Sequence, residues 1–194
     1  MPSIVHGFDW PDRLVVGTIG RPGDRAFYIQ ARDGKRVTSV ALEKEQTAVL
    51  ADKIDELLDE VATVDDNRFS VPPTVPKELR DGDPLDQPVE PEFRAGALSL
   101  GFDPATAQVV IEAYPIEDDL EIIAEETGDD GELEAVVEIP EPAELFQVKI
   151  PVGTARAFVE RTREIVGAGR PTCPNCGRAI DPDGHDCDQP PEFD

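Results

Sequence analysis

"VALEKEQTAVLADKIDELL" runs from Val40 to Leu58, and "VKIPVGTARAFVERTREIV" from Val148 to Val166. Laid over each other without a gap, they read as one helix written twice. Leu42 meets Ile150, Leu50 meets Phe158, Leu57 meets Ile165 and Leu58 meets Val166, so the apolar positions coincide. Asp52 and Lys53 meet Glu160 and Arg161, and Glu56 meets Glu164, on what reads as the solvated side. In the first copy Leu50, Ile54, Leu57, Leu58 and Val61 recur at helical spacing and form one apolar stripe. The second helix has Thr154 as its expected N-cap and Gly167 as its C′ residue.

Upstream of each helix the period drops to two. "SIVHGF", "DRLVVGTIG", "AFYIQAR" and "RVTSVAL" read as strands before the first helix. Turns fall at "GRPGDR", with Pro22 and Gly23 placed for a type II turn, and at "RDGKR". "FRAGALSLGFD", "AQVVIEAY", "LEIIAE", "ELEAVVEIP" and "LFQVKI" precede the second. "GTIG" resembles "GALSLG", and "AFYIQA" resembles "AQVVIEA". The expected fold is therefore α+β: internally duplicated antiparallel sheet-plus-helix units packed as one pseudo-symmetric domain. Residues 1–64 form the first unit and 93–169 the second. Residues 65–92, rich in proline and acid, form an extended surface connector, with ordinary disorder as the alternative. Residues 115–134 carry extra acid between strands of the second unit and read as a hairpin.

Residues 170–194 form a tail holding all three cysteines: Cys173-x-x-Cys176, eight residues, then His185-x-Cys187. Three thiolates and one imidazole fit a tetrahedral zinc, and four protein ligands leave no open position, so the expected zinc is structural. A redox CxxC would leave His185 and Cys187 without a role, and a metal-free tail would leave all four.

The chain of 194 residues has 18 basic and 42 acidic residues, a net charge of −24. Such a surface repels nucleic-acid phosphates and anionic lipids. It serves solubility or a salty cytoplasm, or else docks a basic partner. No apolar run approaches the ~20 residues of a membrane span, no secretory signal opens "MPSIVHGFDWPDRL", and a cytoplasmic protein is expected. Neither a phosphate-cradling loop nor a G-x-S-x-G elbow is present. His6 lies on the first strand with no nucleophile placed around it by motif. Arg13, Arg21 and Arg25 concentrate positive charge at the first turns and are candidate ligand or partner contacts beside their default as solvated residues. Trp10 is either a core plug or an exposed anchor.

Five stretches together, "PDRLVVGTIGRPGDRAFYIQA", "VALEKEQTAVLADKI", "EFRAGALSLGFD", "GAGRPTCPNCG" and "IDPDGHDC", resemble an uncharacterised actinobacterial family known as a conserved hypothetical or repeat protein of unknown function. The resemblance implies an intracellular protein with this cysteine-rich tail and no established reaction. It further implies a link to chromosome partition through a ParA-type ATPase. Two function classes follow: an adaptor that binds another protein, or a small-ligand protein or enzyme with a pocket between the two units lined by Arg13, Arg25 or His6. Nucleic-acid binding through the tail is not expected, given its acidic flanks.

Overall fold

The computed structural model describes residues 4–116, 122–126, 133–137 and 144–169, together with 173, 175, 176, 180, 184 and 187. Strands β1 (Ile4–Asp9), β2 (Arg13–Arg21), β3 (Asp24–Asp33) and β4 (Arg36–Leu42) lead into helix α1 (Lys44–Ala62). Strands β5 (Pro91–Asp103), β6 (Gln108–Pro115), β7 (Ile122–Glu126), β8 (Leu133–Val137) and β9 (Glu144–Pro151) lead into helix α2 (Val152–Gly167). At the acidic stretch expected as a hairpin at 115–134, β7 and β8 pair antiparallel; residues 117–121 and 127–132 lie outside the described residues.

The other seven strands form one sheet in the order β1-β9-β6-β5-β4-β3-β2. This sheet is mixed, which corrects the expectation of purely antiparallel units. β2-β3-β4 and β5-β6-β9 are antiparallel meanders, but β4 joins β5 in parallel, and β1 crosses the molecule to lie parallel to β9. A parallel join needs a long connection, and that is the work of α1 plus the residues that follow it. Each helix packs against the first strand of the other meander, α1 on β5 and α2 on β2, and the two helices also pack on each other.

The alternation read from sequence sets the core. Leu14 and Val16 of β2, Ile29 and Ala31 of β3 and Val40 of β4 share a face with Ile111 of β6 and Phe146 and Val148 of β9. Onto that face α1 places Leu50, Ile54 and Leu58, and α2 places Ala155, Phe158 and Val159, all buried. Gln46 ties the start of α1 down: its carbonyl accepts from Glu43 N–H, and its amide donates to the carbonyl of Ala95 on β5. α2 starts earlier than its sequence signal. Pro151 is the N-cap residue and Gly167 lies within the last turn, with Ala168 at the C-cap. Pro151, with φ −59° and ψ 153°, ends strand β9 and leads straight into the helix, so Thr154 falls inside α2 and does not cap it.

The stretch after α1 is a strap that does more than cross the surface. It buries Val71, Val75 and Leu85 and contains one short 3-10 turn, Lys77–Leu79. From the helix side it passes the free edge of β2 and then covers the opposite face of β2-β3-β4. There Val15, Gln30 and Ser39, neighbours across three strands, are each at most 2% exposed. Gln30 and Ser39 are polar yet buried, because the strap covers this face. Leu85 sits directly over Gly17, where a Cβ would come within 2.5 Å of the Leu85 side chain. Gly17→Val should therefore destabilise the fold by about 1–3 kcal/mol through overpacking. Adding Leu85→Ala should recover part of that loss in a chemical-denaturation cycle; simple additivity of the two losses would contradict this packing.

Candidate functional site

Arg13 lies on β2, facing the strap. Its guanidinium donates twice to the Asp81 carboxylate, at 2.6 and 2.9 Å, and further to Asp86 Oδ2 and the Asp83 carbonyl. Arg161, on α2, reaches the same carboxylate at 2.9 Å. It also donates to the carbonyls of Asp81 and Asp83, and through Nε to the Val16 carbonyl on the unpaired side of β2. Two guanidiniums thus close on one carboxylate. Arg32 donates to the other oxygen of Asp86, whose backbone N–H and C=O pair with the Gln30 side-chain amide at 2.8 and 3.1 Å. In this way a side-chain amide takes up the strap as a neighbouring strand would.

Asp81 is held below its ordinary carboxylate value of 3.8, first by the hydrogen bond from Arg13 and against the cost of burial. Burial pulls the Arg161 guanidinium down, opposed by the charge of Asp81. The hydrogen bond that Arg13 donates to Asp81 raises the Arg13 guanidinium. A second acid cluster joins the helices. Burial would raise Asp55, but hydrogen bonds and charge from Arg163 and Arg156 outweigh it and hold Asp55 low. Arg163 also reaches Asp52, and Arg156 reaches Asp59.

Of the sequence candidates, then, Arg13 is taken up by the protein's own acids. Arg25 donates to the Ile165 carbonyl near the end of α2 and stacks over Phe27, in a cleft that Lys44 and Val166 also line. Arg21 closes β2 at the β2–β3 hairpin, exposed and opposite Asp24. His6, on β1, has Nε2 3.7 Å from Glu144 Oε2; both atoms are buried without a hydrogen-bond partner. Among the described residues, Arg13, Arg25 and His6 do not converge on one cleft. Trp10 is exposed and, at φ 54°, turns the chain between β1 and β2.

Sequence reasoning missed Arg161, which it counted among the exposed charges although only 9% of it is accessible. A signal was present: Arg161 stands three residues after Phe158 and four before Ile165, and so belongs to the apolar stripe by helical spacing.

The cysteines meet as their spacing predicts. The Sγ atoms of Cys173, Cys176 and Cys187 all lie within 4.8 Å of one another, and Cys173 is buried. Cys173 and Cys187 Sγ are 3.8 Å apart. Backbone N–H groups of Cys176 and Asn175 point at Cys173 Sγ and, in that order, lower its thiol from 9.0 to about 7. A thiolate held ready by turn amides is what a metal ion needs. His185 lies outside the described residues.

A family model described as "Protein of unknown function (DUF3090)" matches residues 6–187. The chain belongs to this family. The DUF3090 match runs from His6 on β1, through the strap and both helices, to the last cysteine. No curated protein matches the chain, and no solved structure matches it. No helix among the described residues is long and apolar enough to cross a membrane.

The acid clusters give the DUF3090 fold a defined pH response. Asp81 and Asp55 are more acidic folded than unfolded, so their stabilisation is complete above pH 3.8 and is lost as pH falls through their lower folded values. Asp81→Asn should cost about 1–3 kcal/mol at neutral pH, because Arg161 loses its buried countercharge. In urea titrations the gap to the wild type should hold above pH 3.8 and close as falling pH protonates Asp81 in the folded state. A gap independent of pH would mean that the carboxylate charge contributes nothing.

Proposed function

We propose that the protein is an interaction module whose tail is shaped by zinc, and not an enzyme. The observation that carries this reading is the commitment of Arg13, Arg32 and Arg161 to one internal strap. These three cations, which could otherwise meet an anionic substrate, are neutralised by the chain's own aspartates. The net charge of −24 directs the reading to protein partners and away from nucleic acid and membranes.

Zinc is the metal that the donor set favours. Zinc–sulfur bonds of about 2.3 Å set the edge of a regular tetrahedron at about 3.8 Å, and the Cys173–Cys187 separation is 3.8 Å. Cys173, Cys176 and Cys187 would hold the ion, with His185 as the fourth ligand from its spacing. When bound, zinc supplies folding free energy to a segment too short to build a core.

The body is read as a duplicated unit. Strands β2-β3-β4 and β5-β6-β9 run in the same order and directions, each followed by a helix. In the register that sets Val40 over Val148, the buried positions Thr47, Leu50 and Ala51 coincide with Ala155, Phe158 and Val159, which are buried as well. The twins are joined side by side in one sheet through β4 and β5, with each helix crossing to the other unit.

The partner proposed from the family resemblance is a ParA-type ATPase in the cytoplasm. Purified protein should carry one zinc per chain by elemental mass spectrometry, and Cys176→Ser should lose it without lowering the melting temperature of the sheet. An immobilised ParA-type ATPase should retain the full chain with a saturable response. Turnover of a metabolite by the purified chain, with no protein retained, would overturn the module reading; a metal-free tail would overturn the zinc reading alone.

A further inference from the structure

We propose that the groove between α1 and β5 docks an extended segment of a partner protein, one bearing an aliphatic side chain followed two residues later by a carboxylate. This deepens the interaction-module reading by naming a surface and the chemistry it selects.

The groove, about 420 Å³, has Gln46, Val49, Leu50 and Lys53 of α1 on one wall and Leu98 and Leu100 of β5 on the other. A second cleft, about 390 Å³, is lined by Thr154, Ala157, Phe158 and Arg161 of α2, with Leu14 and Val15 of β2. When Val40 is laid over Val148, the four helix positions of the first cleft fall on the four of the second. The strand walls correspond too. Leu14 pairs across the sheet with Ala31, the last residue of "AFYIQA", and Leu98 with Ala113, the last of "AQVVIEA". The two grooves are the same place in the two meander-plus-helix units.

One of them shows what fits. Strap residues 78–83 lie alongside α2 and line the α2–β2 cleft. Leu79 seats its Cδ1 over the start of α2, where a Cβ on Gly153 would lie 3.2 Å from it. Two residues on, Asp81 offers Arg161 both its carbonyl and its carboxylate. The strap therefore runs parallel to α2, aliphatic residue first and acid second.

The α1–β5 groove has the matching hardware and, among the described residues, no strap. Val49, in the place of Ala157, is 57% exposed, an apolar side chain presented to solvent beside half-buried Leu98 and Leu100. Lys53 stands where Arg161 stands. Its ammonium meets Glu56 one turn along, an exposed pair of little net strength, so turning it to an incoming carboxylate costs little. Glu45 replaces Gly153 and closes the groove at its N-terminal end. The aliphatic anchor accordingly packs against Val49 and Leu98, with the acid at Lys53, and the segment runs parallel to α1.

The probe is a synthetic peptide with the strap's own sequence, PKELRDGDPLD (residues 76–86), added to the full-length isotope-labelled protein and followed by NMR. Saturable shifts are expected at Gln46–Lys53 and Leu98–Leu100. Leu79 itself is 38% exposed in the strap, so serine in place of the peptide's leucine at that position should weaken binding about fivefold, the worth of a partly buried leucine. Val49→Glu should abolish the shifts and, the side chain being exposed, leave the melting temperature unchanged. Three results would overturn the assignment: shifts confined to Thr154–Arg161, binding undiminished by Val49→Glu, or a groove that takes the peptide only after residues beyond 169 are removed. If a partner protein is retained equally by wild type and Val49→Glu, the groove assignment fails while the module reading stands.

Discussion

A buried guanidinium at the free edge of β2 is the contact on which the rest of this structure depends. Arg161 projects from α2, donates to the Val16 carbonyl of the edge strand, and takes hold of the strap at Asp81 and Asp83. Three parts of the chain far apart in sequence are joined at one side chain. The arrangement answers two costs at once. An exposed strand edge invites pairing with another chain, and a buried cation must be matched with countercharge and acceptors. Here the edge carbonyl and the strap acids match the cation, and the strap covers the edge.

The rest of the topology follows from that anchoring. For β5 to lie parallel to β4, the chain leaving α1 must return to the starting end of the sheet, and the strap makes this journey around β2 and across the outer face. Its footing on that face is the Gln30 amide, the Arg13 and Arg32 guanidiniums and the Leu85 contact over Gly17. The sheet consequently has one face covered by helices and half of the other covered by irregular chain. This second cover explains how polar strand residues such as Gln30 and Ser39 come to be buried. It also explains why a chain with 42 acidic residues places two of them, Asp81 and Asp86, among three arginines.

The legible part of the fold was the part written in periodicity. Period two located the strands, period 3.6 located both helices, and the stripe Leu50, Ile54, Leu58, Val61 is the buried face of α1. The meeting of Cys173, Cys176 and Cys187 was legible because ligand spacing is a local property. What stayed hidden was non-local. Nothing within β1 says that it will cross to β9, since a strand of six residues pairs wherever an edge is open. Proline and acid in the strap signalled an absence of regular structure, which is correct, but burial in irregular chain has no period to read. Arg13 was singled out as a rare cation in need of an anion; the anion proved to be the protein's own, 68 residues away. Arg161 was set aside because charge outweighed its position on the stripe.

The clasp is tested most directly by hydrogen exchange at the Asp86 amide, which donates to Gln30 in the strap's far footing. If Arg161 fixes the strap, this amide in the wild type exchanges only when the whole sheet opens, at the rate of the β2–β3 ladder. Arg161→Lys, which keeps the charge but not the fork of donors, then releases it to local opening and exchange at least about tenfold faster. An Asp86 amide that exchanges in the wild type as fast as an open loop, and is indifferent to Arg161→Lys, would contradict the account.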